Sequence, residues 1–206
     1  MKCDNEIMPE QSSPRSPAEI TAWKKATRTE ILQAREALSP DLHRQYNQRI
    51  LDALSSNFGK LCSGVVGMYW PYRNEVDVRP FADFVLAQGG SAALPVVVAK
   101  KHPLEFHAWK PGDAMVEGAY GILRPAQDAR VEPDVLIVPL VGFDSACYRL
   151  GYGGGFYDRT LSAAAKKPIT IAVSFELARL ESTRPQSHDM PMDFVVTETN
   201  VLQRRS

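Results

Sequence analysis

Val135-Leu136-Ile137-Val138, the connection Pro139 to Tyr148, then Arg149-Leu150-Gly151-Tyr152-Gly153-Gly154-Gly155-Phe156-Tyr157-Asp158-Arg159 is the stretch from which the rest of the chain is read. The first four residues form a continuous apolar run rich in β-branched side chains, the pattern of a strand buried on both faces. Four glycines in five positions, 151 to 155, then strip side chains from a segment that follows this strand by a short loop and opens a helix. Missing side chains let backbone N–H groups approach an anion closely, and the helix N-terminus turns its dipole to the same place. Arg149 and Arg159 can add charge-assisted bonds. Asp158 can hold Mg²⁺, which binds through one or two carboxylates plus phosphate oxygens. The segment is neither a Walker A loop, since no Gly-Lys-Ser/Thr ends it, nor a G-x-G-x-x-G fingerprint. By itself a glycine run is as often a plain surface turn. Its place between strand and helix favours a ligand site, because ligands in such sheets sit at the strands' carboxyl ends.

Outward from this segment, strands alternate with helices. Ser16-Pro17-Ala18-Glu19 reads as a capping box opening a helix to about Ala37, with an apolar stripe of Ile20, Trp23, Ile31 and Leu38. Lys24, Lys25, Arg28 and Arg35 lie off that stripe. Ser39-Pro40-Asp41 starts a second helix carrying Leu42, Tyr46, Ile50 and Leu54. Strands are predicted at Val65–Tyr69, Ala92–Val98, Leu104–Trp109, Val135–Val138, Ile169–Val173 and Phe194–Thr197. Asp77 is read as the cap of a helix through Phe81, Phe84 and Val85, and a last helix runs from Phe156 to Ala165. Pro95 argues mildly against a central position for its strand. The expected fold is α/β: one domain over 16–206, a mostly parallel, Rossmann-like sheet flanked by helices on both faces. Residues 1–15, polar and Pro/Ser-rich, are expected to be a disordered tail.

Composition narrows the function classes. The 206 residues are 44% hydrophobic and 23% charged, the balance of a soluble globular protein. Lys plus Arg and Asp plus Glu number 24 each, which lacks the basic excess of a general nucleic-acid binder. No apolar run approaches the ~20 residues of a membrane span. The three cysteines, Cys3, Cys62 and Cys147, are far apart and read as free thiols of a reducing compartment, the cytoplasm. His43, His102, His107 and His188 have no zinc-helix spacing.

Arg-Leu-Gly-x-Gly-x-Gly-aromatic-Tyr-Asp, preceded by Val138-Pro139-Leu140-Val141-Gly142-Phe143-Asp144, resembles the signature of the 5-formyltetrahydrofolate cyclo-ligases. The likeness extends from about Trp23 to Val201. It takes in Lys24-Lys25-Ala26-Thr27-Arg28, Tyr69 to Asp77, Leu94-Pro95, Phe106, Trp109, Pro111-Gly112-Asp113 and His188-Asp189-x-Pro191-x-Asp193. The resemblance implies Mg·ATP-dependent closure of 5-formyltetrahydrofolate to 5,10-methenyltetrahydrofolate. Lys24 and Arg28 would bind ATP phosphates. Arg149, Leu150, Gly151, Tyr152, Gly153, Gly154, Gly155, Phe156 and Tyr157 would wrap the nucleotide, with Arg149 and Tyr157 catalytic. Asp158 and Asp189 would serve Mg²⁺. Trp70 and Glu75 would contact the folate, Tyr152 to Phe156 would lie beside the formyl group, and Trp109 would flank the pterin.

Elementary chemistry is compatible with these roles. Lys24 and Arg28, four apart, share a helix face, although such a pair is usually just solvated. A pterin needs an apolar slot and one placed carboxylate, which Glu75 can supply. Trp70 and Trp109 are of a type more often core than ligand platform. The chain departs from the family pattern at Gly121-Ile122-Leu123-Arg124-Pro125, where relatives carry an acid, and at Ser174-Phe175-Glu176-Leu177-Ala178, where relatives carry a Gln nearby. Two other readings therefore stand beside the ligase: a Mg·ATP-dependent paralogue with another formyl or carboxylate substrate, and a non-catalytic folate or nucleotide-binding module. The expected partners are small molecules, with neither nucleic acid nor membrane, and the protein is expected to be a monomer or homodimer.

Overall fold

In the computed structural model the described residues are 16–205, so the tail expected to be disordered lies outside them. Ser16 caps α1 (Pro17–Glu36) as its sequence requires: its side chain accepts from Glu19 N–H, and the Glu19 carboxylate accepts from Ser16 N–H at 2.6 Å. Ser39 caps α2 (Pro40–Phe58) by accepting from Leu42 N–H. The chain continues through β1 (Val65–Gly67), α3 (Phe81–Ala87), β2 (Ser91–Val96), β3 (Glu105–Trp109), β4 (Met115–Glu117), β5 (Leu123–Pro125) and β6 (Arg130–Val131). It ends with β7 (Val135–Pro139), β8 (Gly142–Phe143), β9 (Arg149–Leu150), α4 (Phe156–Ala163), β10 (Ile169–Val173), β11 (Phe194–Val196) and β12 (Val201–Gln203).

Eight strands form the main sheet in the order β12-β11-β10-β7-β1-β2-β3-β6. Its middle, β11 to β2, is parallel; β12 and β3 pair antiparallel to their neighbours, which the sequence pattern did not distinguish. Along the chain the parallel strands are laid down as β1, then β2 on one side, then β7, β10 and β11 on the other. The direction of growth reverses between β1 and β7. Such a reversal opens a crevice at the strands' carboxyl ends, because the two connections leave to opposite faces.

Alternation along β7 builds two cores. Val135 and Ile137 pack with Ile50 and Leu54 of α2 and with Phe81 and Val85 of α3. Leu136 and Val138 face the other way, with Ile31 of α1 and Leu161 of α4. Helices thus cover both faces, as expected.

Three local expectations change. Pro95 sits inside β2 because β1 pairs only as far as Ala93; at Pro95 the β1 side of the strand is open and no ladder bond is lost. Asp77 does not cap α3, whose N-cap is Pro80; its carboxylate instead accepts from Arg79 N–H and from the Arg79 guanidinium. The connection between β7 and the glycines is not a short loop but the antiparallel hairpin β8–β9.

Asp144 holds that hairpin. Its buried carboxylate accepts from Ala146 N–H (3.0 Å), Tyr148 N–H (3.1 Å), Thr183 N–H (2.9 Å) and the Thr183 hydroxyl (2.8 Å). Removing a multiply bonded buried carboxylate strands its donors, at ~1–3 kcal/mol for an unsatisfied group. Asp144→Ala is therefore expected to lower unfolding free energy by about 3 kcal/mol, read as a lower urea midpoint at unchanged slope.

Candidate active site

The hairpin delivers Arg149 and the glycines to the crevice beside the loop that follows β1. Gly153 (φ +97°) and Gly155 (φ +63°) occupy the left-handed region that side chains disfavour. A Cβ at Gly155 would lie 2.8 Å from the Arg159 guanidinium, which donates to Gly154 O at 2.6 Å. Tyr152, Gly153 and Gly154 are exposed, so the segment presents its backbone to solvent at the sheet's ligand edge.

α1 crosses this segment with its basic face. Arg28 Nε donates to Gly151 O at 2.7 Å, and burial, partly offset by Asp189, lowers the Arg28 pKa. Lys24 Nζ pairs with Asp189 Oδ2 at 3.0 Å. Burial, the largest influence on Asp189, works to raise its pKa, but the Gln186 N–H and Lys24 together hold it below the ordinary carboxylate value. Arg149 pairs with Asp158 at 2.7 Å and also donates to Met190 O at 3.2 Å. Asp158 accepts from Met190 N–H at 3.3 Å, so it sits against the residue next to Asp189. Two carboxylates thus converge beside three cations. Among the described residues no three His, Cys, Asp or Glu side chains gather as metal ligands. An oxygen-only pair suits Mg²⁺, which completes its shell with water and phosphate.

On the other side of the glycines stands Glu75, 4% exposed. One of its oxygens accepts from the Tyr152 hydroxyl and the other from Tyr72 N–H, each at 2.9 Å. Burial pushes its pKa up, opposed by Arg35 and these bonds. The Tyr157 hydroxyl is buried and has no hydrogen-bond partner among the described residues; burial, then the nearby Glu75, pushes its pKa well up. Leu150 is buried in β9 and contributes backbone only. Phe156 is half-buried, with Arg159 over its ring and the exposed Tyr120 edge-on at 6.3 Å.

Trp70 and Trp109 meet each other edge-on at 6.3 Å, with the Arg79 guanidinium over Trp70. They line a groove of about 340 Å³ with Asp77, Pro80, Asp83 and Pro111. Trp109 is buried in the core under α2 and α3, opposite Ala92 at the beginning of β2, and does not join the Glu75–Tyr152 cluster. The sequence reading missed Arg35, placed there off the apolar stripe. It is 2% exposed and bonds to three segments of the crevice. A signal existed: Lys24, Arg28 and Arg35 fall at i, i+4 and i+11, three turns of one helix face.

The chain has extensive likeness to known proteins. A profile of the 5-formyltetrahydrofolate cyclo-ligase family matches residues 20–198. The 5-formyltetrahydrofolate cyclo-ligase of Escherichia coli K12 is 31% identical over 182 residues, covering 83% of this chain and 98% of that one. That of Mycolicibacterium smegmatis is 30% identical over 194 residues, covering 90% and 95%. Among solved structures, the 5,10-methenyltetrahydrofolate synthetase of Aquifex aeolicus superposes with a TM-score of 0.77 at 31% identity, covering 89% of this chain and 93% of the other. The Mycoplasma pneumoniae enzyme of the same name gives 0.70 at 27% identity, covering 85% and 98%. With its glycine hairpin set at the strand reversal and its sequence matched over nearly the whole folded part, the chain belongs to the 5-formyltetrahydrofolate cyclo-ligase family.

Proposed function

We propose that the protein uses ATP to close 5-formyltetrahydrofolate to 5,10-methenyltetrahydrofolate through a phosphorylated formyl group. One observation carries this reading: the exposed glycine backbone has phosphate-type cations on one flank and a buried carboxylate on the other. The formyl group is an amide and a poor electrophile. Its oxygen attacks the γ-phosphorus of ATP, and ADP leaves with the electrons of the broken P–O bond. The resulting iminium phosphate is attacked at carbon by the second folate nitrogen, N10, which loses its proton. The C–O bond then breaks, phosphate leaves with its electrons, and the methenyl cation remains. No side-chain nucleophile is needed; positioning and charge neutralisation dominate such transfers.

Lys24, Arg28 and Arg149 neutralise the phosphates, while the backbone from Leu150 to Tyr157 wraps them. Asp158 and Asp189 would hold Mg²⁺, which would supply charge neutralisation between phosphate oxygens. Glu75 accepts from pterin N–H groups, as a buried carboxylate with a raised pKa can do once ionised. Trp70, on the same connection as Glu75, contacts the folate, while the buried Trp109 supports Trp70 edge-on from the core and does not itself flank the pterin. Gly153 to Phe156 and Tyr152 lie beside the formyl group. The unpartnered Tyr157 hydroxyl donates to the oxygen on which negative charge grows. The buried free thiols of Cys62 and Cys147 fit a cytoplasmic setting.

The assay is direct: protein, 5-formyltetrahydrofolate and Mg·ATP should develop methenyltetrahydrofolate absorbance. ATP binding without product would point to a different substrate, and folate binding without ATP dependence to a passive module. Lys24→Ala removes a charge-assisted bond worth ~1.5–3 kcal/mol, so KM for ATP should rise roughly 10- to 100-fold with KM for folate little changed. The opposite split would displace Lys24 from the nucleotide. Asp158→Ala should abolish turnover at any Mg²⁺ concentration; near-normal initial rates would remove it from the metal role. Tyr157→Phe should lower kcat by about 10²-fold at similar KM values, and an unchanged kcat would show that its hydroxyl is not used.

A further inference from the structure

Arg35 is the largest polar side chain in the interior, and nothing in the proposed chemistry uses it. A buried guanidinium loses its hydration and must recover it from fixed partners. Here they belong to three different walls of the crevice. Nε donates to Arg73 O at 2.9 Å, on the loop after β1. Nη1 donates to Leu140 O at 3.1 Å, where the chain leaves β7. Nη2 donates to the Tyr152 hydroxyl at 2.5 Å, on the glycine segment. The Arg35 carbonyl also accepts from Asn74 Nδ2 at 2.8 Å. β1 and β7 are the two strands between which the sheet reverses, so this one side chain spans the reversal and ties both exits to the glycines.

The third bond continues. With its oxygen occupied as acceptor by Arg35, Tyr152 directs its own proton to Glu75 Oε1 at 2.9 Å. A hydroxyl held this way has one donor direction left. The positive charge of Arg35 thereby reaches the Glu75 carboxylate through a single hydroxyl, and hydrogen bonds in such a chain polarise one another. We infer that Arg35 is a positioning residue for the ligase reaction, orienting the Tyr152 hydroxyl and keeping Glu75 available as an anionic acceptor for the folate. This deepens the folate assignment made above for Glu75 and rests on it.

Several groups face Glu75. Arg35 comes from α1, and His43 from α2, where its Nε2 lies 3.1 Å from the Glu75 carbonyl. Tyr69 and Asp77 flank it in its own connection, with Tyr72 N–H bonded to it. Tyr152 comes from the glycine segment and Tyr157 from α4. Of these, Arg35 bears a permanent positive charge. The others either carry negative charge, resist charging, or, in the case of His43, meet the Glu75 main chain rather than its carboxylate. Loss of Arg35 therefore removes the main influence favouring the ionised acid.

The test compares Arg35→Gln, Arg35→Lys and Tyr152→Phe in the full-length protein. The readouts are steady-state kinetics across pH and, without ligand, the titration of ¹³C-labelled glutamate side chains by NMR. In Arg35→Gln the NMR midpoint of Glu75 should move to higher pH by about one pH unit, and the acidic limb of kcat/KM for folate should move with it. Arg35→Lys keeps the charge but not the fork, so the limb should move less, while kcat/KM for folate falls about 10- to 100-fold and KM for ATP changes little. Tyr152→Phe leaves the two backbone bonds of Arg35 in place; its folate defect should be non-additive with that of Arg35→Lys. Should the Arg35 variants fail to fold, Tyr152→Phe alone decides: an unmoved Glu75 midpoint overturns the inference. Folded Arg35 variants with wild-type folate kinetics and an unmoved Glu75 midpoint would likewise reduce Arg35 to scaffolding. A wild-type protein that makes no methenyl product, together with Arg35 variants that do show the Glu75 shift, would instead overturn the functional assignment and leave the coupling standing.

Discussion

A crevice proposed to hold phosphates gathers like charges, and the fold must remain stable when nothing occupies it. That constraint organises the site. Lys24 is neutralised by Asp189 and Arg149 by Asp158, at 3.0 and 2.7 Å. Arg28 rests on Gly151 O, and Arg35 on two carbonyls and a hydroxyl. Each of these four cations, three on α1 and Arg149 on β9, therefore has an internal partner, and the two acids among those partners are the ones proposed for a magnesium ion. A ligand that brings phosphates and a divalent cation can exchange these pairs one for one. Under the proposed function, phosphate would replace carboxylate at the cations, and Asp158 and Asp189 would turn to the metal instead. The number of charge contacts is preserved, so desolvation is not incurred twice. Part-burial of these pairs, with 14% and 18% of the Lys24 and Asp189 side chains exposed, keeps them strong enough to order the site yet reachable from solvent.

How far this was legible in the sequence depends on whether a residue's role is local. Capping boxes, apolar runs and the glycine segment are written in a few adjacent positions, and α1, α2, β7 and β10 appear where their patterns place them. Pro95 could not be judged locally, because its tolerance depends on where a different strand, β1, stops pairing. Asp77 was misread for a related reason: an acid before a helix can bond any N–H within a turn, and here Arg79 offers both its N–H and its guanidinium. Arg35 is the instructive case. It stands four residues after Ile31 and three before Leu38, so the helical period itself puts it beside the apolar stripe, on the buried side of α1; only its charge set it off. Charge marks a surface residue only until the fold supplies carbonyls for it to bond.

The two positions at which this chain departs from the family pattern sit in different physical settings. Arg124 lies in the small β4–β5 hairpin, paired across from Val116, and its guanidinium donates to Pro125 O, the carbonyl of the next residue. Ala178 is buried in the turn after β10, beneath α1, where the Ala178 carbonyl would lie 3.3 Å from a Cβ at Gly142. Glu176, nearby, accepts from the Thr197 hydroxyl. Neither change unpairs a group in the crevice. The first alters charge on a ribbon whose connecting residue Tyr120 meets Phe156 of the glycine segment, and the second lies in a packed turn.

What remains is why one short segment should serve both substrates. Gly151 faces α1 through its carbonyl, and Tyr152, the next residue, faces Glu75 through its hydroxyl. Consecutive residues thus touch the proposed phosphate flank and the proposed folate flank. Gly151 and Tyr152 are joined by one peptide, so a displacement at the Gly151 carbonyl would be felt at Tyr152. Arg35 holds the Tyr152 hydroxyl by donating to it. The proposed nucleotide and folate flanks therefore share one wall, made of two adjacent residues. For a phosphoryl transfer from nucleotide to formyl oxygen, whose reacting atoms must come to within bonding reach, shared walls of this kind supply alignment that two independent pockets would have to achieve separately.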